Sequence, residues 1–198
     1  MIQVSLAFAL TVASTQGVSA SVLPPHYEAT VRHHQLAVEL IPEKHELVAE
    51  DRIELTLDPH AASVTCTLAP TLQVESVVAG VPLASGEGTK AGETLRFTRV
   101  QPVDPAVQHI VVELPKGHGT QVTLVWTYRG VMNDPPREPR HLRFVTPSET
   151  AGHIGPEGVY LGGESQWYPD IDGSYSSYRL TVQIPHGWTA VTQGRKTE

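Results

Sequence analysis

Residues 33–57 read HHQLAVELIPEKHELVAEDRIELTL. Leu36, Val38 and Leu40 alternate with Gln35, Ala37 and Glu39. Side chains of an extended chain point to opposite faces in turn, so a period of two marks a strand with one buried face. Pro42-Glu43-Lys44 supplies turn chemistry. Beyond it, Leu47, Ala49, Ile53, Leu55 and Leu57 share one parity, and Glu46, Glu50, Glu54 and Thr56 the other. The stretch predicts a long antiparallel hairpin. Asp51 falls on the apolar parity, and a carboxylate there predicts a bulge or a sheet edge.

The alternation recurs along the chain. Val64, Cys66 and Leu68 make a short strand, and Leu72 to Val78 another, ending at an Ala79-Gly80 turn. Leu95 and Phe97 follow a Gly-rich loop, SGEGTKAGET (residues 85–94). Ile110, Val112 and Leu114 run into the Pro115-Lys116-Gly117 turn. Val122, Leu124, Trp126 and Tyr128 face one way, and Tyr178, Leu180, Val182 and Ile184 close the series before Pro185. No long stretch places apolar residues at helical spacing. Sixteen Gly and sixteen Pro residues punctuate the strands with turn chemistry. The fold class is all-β, a multi-stranded antiparallel β-sandwich or open saddle of sheets. Residues 133–140, NDPPREPR, are Pro-rich and charged and form a loop; from there to Pro156 only Leu142 to Val145 is strand-like.

A chain of 198 residues allows one domain with a real core. The net charge of −7, with no Lys/Arg cluster, excludes a nucleic-acid binder, because phosphate contact needs concentrated positive charge. The first twenty residues carry no charged side chain. Val4 to Ala13 is an apolar run of signal-peptide length, and Val18-Ser19-Ala20 offers small residues for cleavage. This pattern predicts a signal peptide over residues 1–20, a single domain over 21–198 and an exported protein, periplasmic or secreted. No later segment is apolar enough to span a membrane. Cys66 is the one cysteine, so no internal disulfide forms; within SVTCTL it reads as a small core residue.

Several segments approach a chemical motif and miss it. His45-Glu46-Leu47-Val48-Ala49 begins like the zinc helix His-Glu-x-x-His, but Ala49 stands where the second ligand is needed and the segment alternates as a strand. His33 and His34 would point to opposite faces of one strand, a poor chelate, and most of the ten histidines read as surface residues. Asp170-Ile171-Asp172-Gly173-Ser174 reads as an acidic β-turn, since the remaining ligands of a calcium loop are missing. Gly163-Glu164-Ser165-Gln166-Trp167 lacks the second Gly of a nucleophile elbow. Trp126, Trp167, Tyr168, Tyr175 and Tyr178 serve packing, or alternatively a sugar-stacking platform.

Three stretches in order, the hairpin of residues 33–57, TLVWTYRGVMND (123–134) and GVYLGGESQWYPD (158–170) followed by YRLTVQIPHGWTAVTQG (178–194), resemble the N-terminal domain of the aminopeptidase N-like (gluzincin) zinc metallopeptidases. The resemblance runs from about Tyr27 to Gly194. It implies an all-β saddle domain that precedes a thermolysin-like catalytic domain. Trp167-Tyr168-Pro169, with Asp170, corresponds to the family's aromatic-Pro corner at the interdomain side. Glu164 or Gln166 is the residue implied to line the pocket for the substrate's free amino terminus, where a carboxylate or amide pairs with an ammonium. The sequence carries neither the Gly-x-Met-x-Asn segment nor the His-Glu-x-x-His helix of the family, and its corner is the shorter WYPDIDG form. No catalytic residue and no metal ligand is therefore expected in this chain; zinc is expected only in a catalytic domain. The resulting expectation is a non-catalytic domain that docks a metallopeptidase catalytic domain and walls the peptide cleft. The alternative is a free-standing secreted β-sandwich module that binds protein or carbohydrate.

Overall fold

A computed structural model describes residues 29–82, 89–100, 107–135 and 150–196. The predicted signal peptide, the Leu142–Val145 segment and most of the NDPPREPR loop lie outside these residues. The predicted hairpin forms as β1 (Ala29–Ile41) and β2 (Glu46–Leu57), joined by a 3-10 turn over Pro42–Lys44 that ends with His45 in the left-handed region at φ 55°. Further strands are β3 (Ser63–Leu68), β4 (Leu72–Pro82), β5 (Thr89–Thr94), β6 (Phe97–Val100) and β7 (Gln108–Glu113). They are followed by β8 (Gln121–Val131), β9 (His153–Gly155), β10 (Gly158–Tyr160) and β11 (Ser177–Gln183). Among the described residues no helix is long and apolar enough to cross a membrane.

The strands form a six-stranded sheet in the order β11-β1-β2-β8-β4-β5, a three-stranded sheet β3-β7-β6, and a two-stranded ribbon β10-β9. One core joins the two larger sheets. Leu47, Ala49, Ile53 and Leu55 of β2 and Leu124, Trp126 and Tyr128 of β8 share it with Val64, Cys66 and Leu68 of β3 and Ile110 and Val112 of β7. The parities read from the sequence for β2, β3, β7 and β8 are those that face this core, whereas Tyr178 of β11 is exposed; Cys66 is a buried free thiol within the core. Burial of large apolar side chains, each worth about 1.5–3 kcal/mol, drives the packing. The fold is all-β, and the large sheet is antiparallel except at one edge, where β11 runs parallel to β1 with His34 opposite Tyr178 and Leu36 opposite Leu180.

Four local expectations change. Asp51 lies at neither a bulge nor an edge: β2 is interior to the sheet and pairs in regular register through Asp51 with both Leu36 and Trp126. The bulge falls instead between Val31 and His33 of β1. It switches the inward parity from Ala29 and Val31 to His34, Leu36 and Val38, so His34 is buried rather than at the surface. β4 does not turn at Ala79-Gly80. Bulges at Val74/Ser76 and Val78/Gly80 carry it onward to Pro82. Part of the Gly-rich stretch is a strand, β5, because the β4 backbone offers it a ladder irrespective of side chains.

Candidate functional site

The segment from β10 to β11 packs against β3 and β1: its backbone pairs with Thr67 and Ala69, and the Val31 amide donates to Ser174 Oγ at 3.1 Å. Gly163–Ser165 forms a 3-10 turn, closed by Gln166 in the left-handed region at φ 49°. Ser165 is buried and its hydroxyl donates to the Gly162 carbonyl at 2.6 Å, which fixes the turn from inside. Glu164 points outward and is exposed; its one hydrogen-bond partner among the described residues is the Tyr160 hydroxyl at 3.4 Å. The Glu164 carboxylate folds back over Gly162, in the space a Cβ at Gly162 would occupy.

Gln166 faces the other way. Its side-chain oxygen accepts from the Thr67 hydroxyl at 3.0 Å, and its carbonyl accepts from the Ala69 amide at 2.7 Å. Asp170 completes the attachment: the Thr67 amide donates to its carbonyl at 2.7 Å, and the Asp170 amide donates to the Thr67 carbonyl at 3.1 Å. β3 is an edge strand of its sheet, so the corner covers backbone groups that would otherwise lie open. Pro169 is buried, and Trp167 and Tyr168 are half-buried against the core, their rings edge-on with centroids 5.0 Å apart. The Asp170 carboxylate accepts from the Ile171 amide at 2.7 Å. The acidic turn then closes with the Ser174 amide donating to the Ile171 carbonyl at 3.0 Å. Of the aromatics considered as a sugar platform, Trp126 is buried, while Tyr175 and Tyr178 are exposed.

Under this corner lies an ion pair that the sequence reading missed. His34 Nδ1 donates to Asp51 Oδ2 at 2.8 Å, with both side chains almost wholly out of solvent. His34 Nε2 faces Asp170 Oδ1 at 3.8 Å, an ionic contact rather than a hydrogen bond. The imidazole also stands edge-on to Tyr168, with centroids 5.1 Å apart. Burial alone would lower the His34 pKa, but Asp170 and Asp51 outweigh it and the imidazole is pushed up to about 9. Burial pushes the Asp51 carboxyl upward, against the pull of His34, and raises the Tyr128 hydroxyl and Cys66 thiol still further from ionisation. His34 and Asp51 form an imidazolium–carboxylate pair, because both ring nitrogens face carboxylate oxygens. The available signal was the parity itself. Asp51 and, once the bulge is placed, His34 are two polar residues on the core faces of paired strands.

The sequence matches no family model and no curated protein. Solved structures do match. An M1 zinc metallopeptidase variant from Deinococcus radiodurans, bound to a Tyr-Ser-Ala substrate, superposes with a TM-score of 0.60 at 17% identity, over 87% of this chain and 36% of the other. This chain has the fold of the N-terminal β domain of M1 zinc metallopeptidases. The unmutated Deinococcus radiodurans enzyme gives a TM-score of 0.50 at 16% identity, over 86% of this chain and 37% of that one. Yeast LTA4 hydrolase gives 0.51 at 14% identity, over 80% and 23%. The chain thus spans about a third or less of the metallopeptidases it resembles, and the likeness is one of fold.

Proposed function

We propose that this chain is the non-catalytic β domain of an exported zinc aminopeptidase-like protein, docking the catalytic domain and walling one side of its peptide cleft. The carrying observation is the division of labour at the corner. Gln166 is spent on Thr67, whereas Glu164 is an exposed carboxylate on a turn fixed from within. Glu164 is therefore the residue suited to meet a substrate's terminal ammonium, a charge-assisted contact that strengthens as the cleft excludes water. Zinc, held in a catalytic domain outside these residues, would supply an activated water for attack on the first peptide bond. The residues of this chain would bind and orient the amino terminus and contribute no base. The fold likeness supports the reading, since it covers most of this chain and about a third of a two-domain peptidase.

The test is to tag the protein at its natural locus and purify it. A zinc peptidase carrying His-Glu-x-x-His, continuous with this chain or associated with it, should be recovered, with chelator-sensitive hydrolysis of amino-acid anilides. Recovery of the chain with no such peptidase and no such hydrolysis rejects the proposal.

A further inference from the structure

We propose that His34 is a positioning residue: clamped between Asp51 on β2 and Asp170 in the corner, it fixes the corner on the sheet and, through it, the turn that carries Glu164. The last link, to Glu164 as a substrate contact, rests on the function proposed above; the clamp itself does not.

β1 and β2 are interior strands of the six-stranded sheet, β1 paired with β11 and β2 and β2 paired with β1 and β8, so neither strand can shift to follow the corner.

 

The hydrogen bond at 2.8 Å orients the ring, because Nδ1 is committed to Asp51 and only Nε2 can turn toward Asp170. Asp170 is the corner residue whose amide and carbonyl pair with Thr67, so a charge held at its carboxylate acts where the corner is anchored. The same ring meets Tyr168 edge-on, and Tyr168 in turn meets Trp167. One imidazole thus touches the corner through a charge and through an aromatic edge.

The surroundings leave His34 without a substitute. Asp51 from β2, Asp170 and Tyr168 from the corner, Tyr128 from β8, Cys66 from β3 and His33 beside it on β1 are the titratable groups around the pair. Burial keeps Tyr128 and Cys66 neutral, and His33 turns outward to Ser177 Oγ at 2.9 Å. Asp51 Oδ1, Trp126 Nε1 and the Tyr128 hydroxyl have no hydrogen-bond partner among the described residues, so His34 is the partner on which the Asp51 carboxylate depends. A neutral imidazole would turn a bare lone pair toward one of two carboxylates. Deprotonation therefore loosens the Asp170 side first, since that contact is longer and partly open to solvent.

The test uses the whole chain, labelled with nitrogen-15. At pH 7 the His34 ring should show both nitrogens protonated, and on titration it should lose a proton near pH 9. Over the same range the Trp167 indole signal should move while the far-ultraviolet circular dichroism of the sheets stays constant. His34→Asn keeps a donor for Asp51 and removes the contact with Asp170. It should raise amide exchange at Thr67, Ala69 and Asp170 about tenfold, leave the β2–β8 ladder unchanged, and abolish the pH response of Trp167. A singly protonated His34 at pH 7, or exchange in the variant that is unchanged at the corner or raised equally in the sheet, overturns the proposal. If the variant fails to fold, the unmutated chain decides: amide exchange at Thr67, Ala69 and Asp170 should rise relative to the β2–β8 ladder as the His34 ring loses its proton, and corner exchange that stays in step with the ladder overturns the proposal. None of these readouts needs peptidase activity, so failure of the proposed function would leave them standing.

Discussion

Replacing His34 by Leu strands the Asp51 carboxylate in a dry core, and the size of the effect follows from the geometry. Both side chains are at most 1% exposed and meet at 2.8 Å. Breaking a buried pair by removing one partner costs about 3–5 kcal/mol. The pKa of His34 gives a second estimate. A rise from 6.5 to about 9, at about 1.4 kcal/mol per pH unit, corresponds to about 3 kcal/mol. That contribution is fully present below the unfolded value of 6.5 and is lost as the pH rises through about 9. The upward shift of Asp51 has the opposite sign, because its buried carboxylate disfavours the folded state when ionised, so the pair's net worth is below the His34 figure. In His34→Leu the penalty should shrink on acidification, by about 1.4 kcal/mol per pH unit once Asp51 begins to protonate. The double variant His34→Leu/Asp51→Leu replaces the pair with apolar volume and should return to within about 1 kcal/mol of the parent. Urea unfolding of all variants at pH 5, 7 and 9, followed by circular dichroism, measures these terms. A double variant as unstable as the two single effects added together would refute the reasoning, as would a His34→Leu penalty below about 1 kcal/mol at pH 7.

Other outcomes follow from single contacts. Gly130→Ala places a Cβ against the Thr71 carbonyl and the Leu72 Cα, both backbone, and should destabilise by about 1–3 kcal/mol, seen as a drop of several degrees in Tm. Gln166→Ala loses the Thr67 bond and puts Ala in the left-handed region, so Tm should fall; Gln166→Gly, free of the backbone strain, should fall less. Gly162→Ala keeps an ordinary extended backbone at φ −80° and displaces the Glu164 carboxylate, so stability should hold within about 0.5 kcal/mol while any Glu164-dependent peptide binding weakens. Cys66 is buried and its thiol is pushed upward by burial, so it should resist thiol reagents in the native chain and react at once in denaturant.

The sheet content was legible because the parity of β2 and β8 is almost unbroken: the residues expected to face inward are those that do. The position of Asp51 was legible too, but its explanation was not. A lone strand cannot reveal which residue of a neighbouring strand meets it, and the inward turn of His34 depends on a bulge at Val31/His33 that leaves no mark in the local pattern. β5 was hidden because a strand on a sheet edge needs only backbone donors and acceptors, so a Gly-rich stretch pairs without side chains that announce it. The parallel pairing of β11 with β1 is a long-range choice that alternation leaves open. At the corner, the sequence marked Glu164 and Gln166 together. Only the fold separates them, one outward on a 3-10 turn and the other bound to Thr67.

The most direct measurement is the hydrolysis of alanine p-nitroanilide, with a free or an acetylated amino terminus, by the complete protein and by its Glu164→Gln variant. The account predicts chelator-sensitive cleavage of the free substrate, with a KM raised about tenfold or more in the variant and kcat less affected. Equal KM values for the two proteins, or a variant that handles free and acetylated substrates just as the parent does, would contradict it.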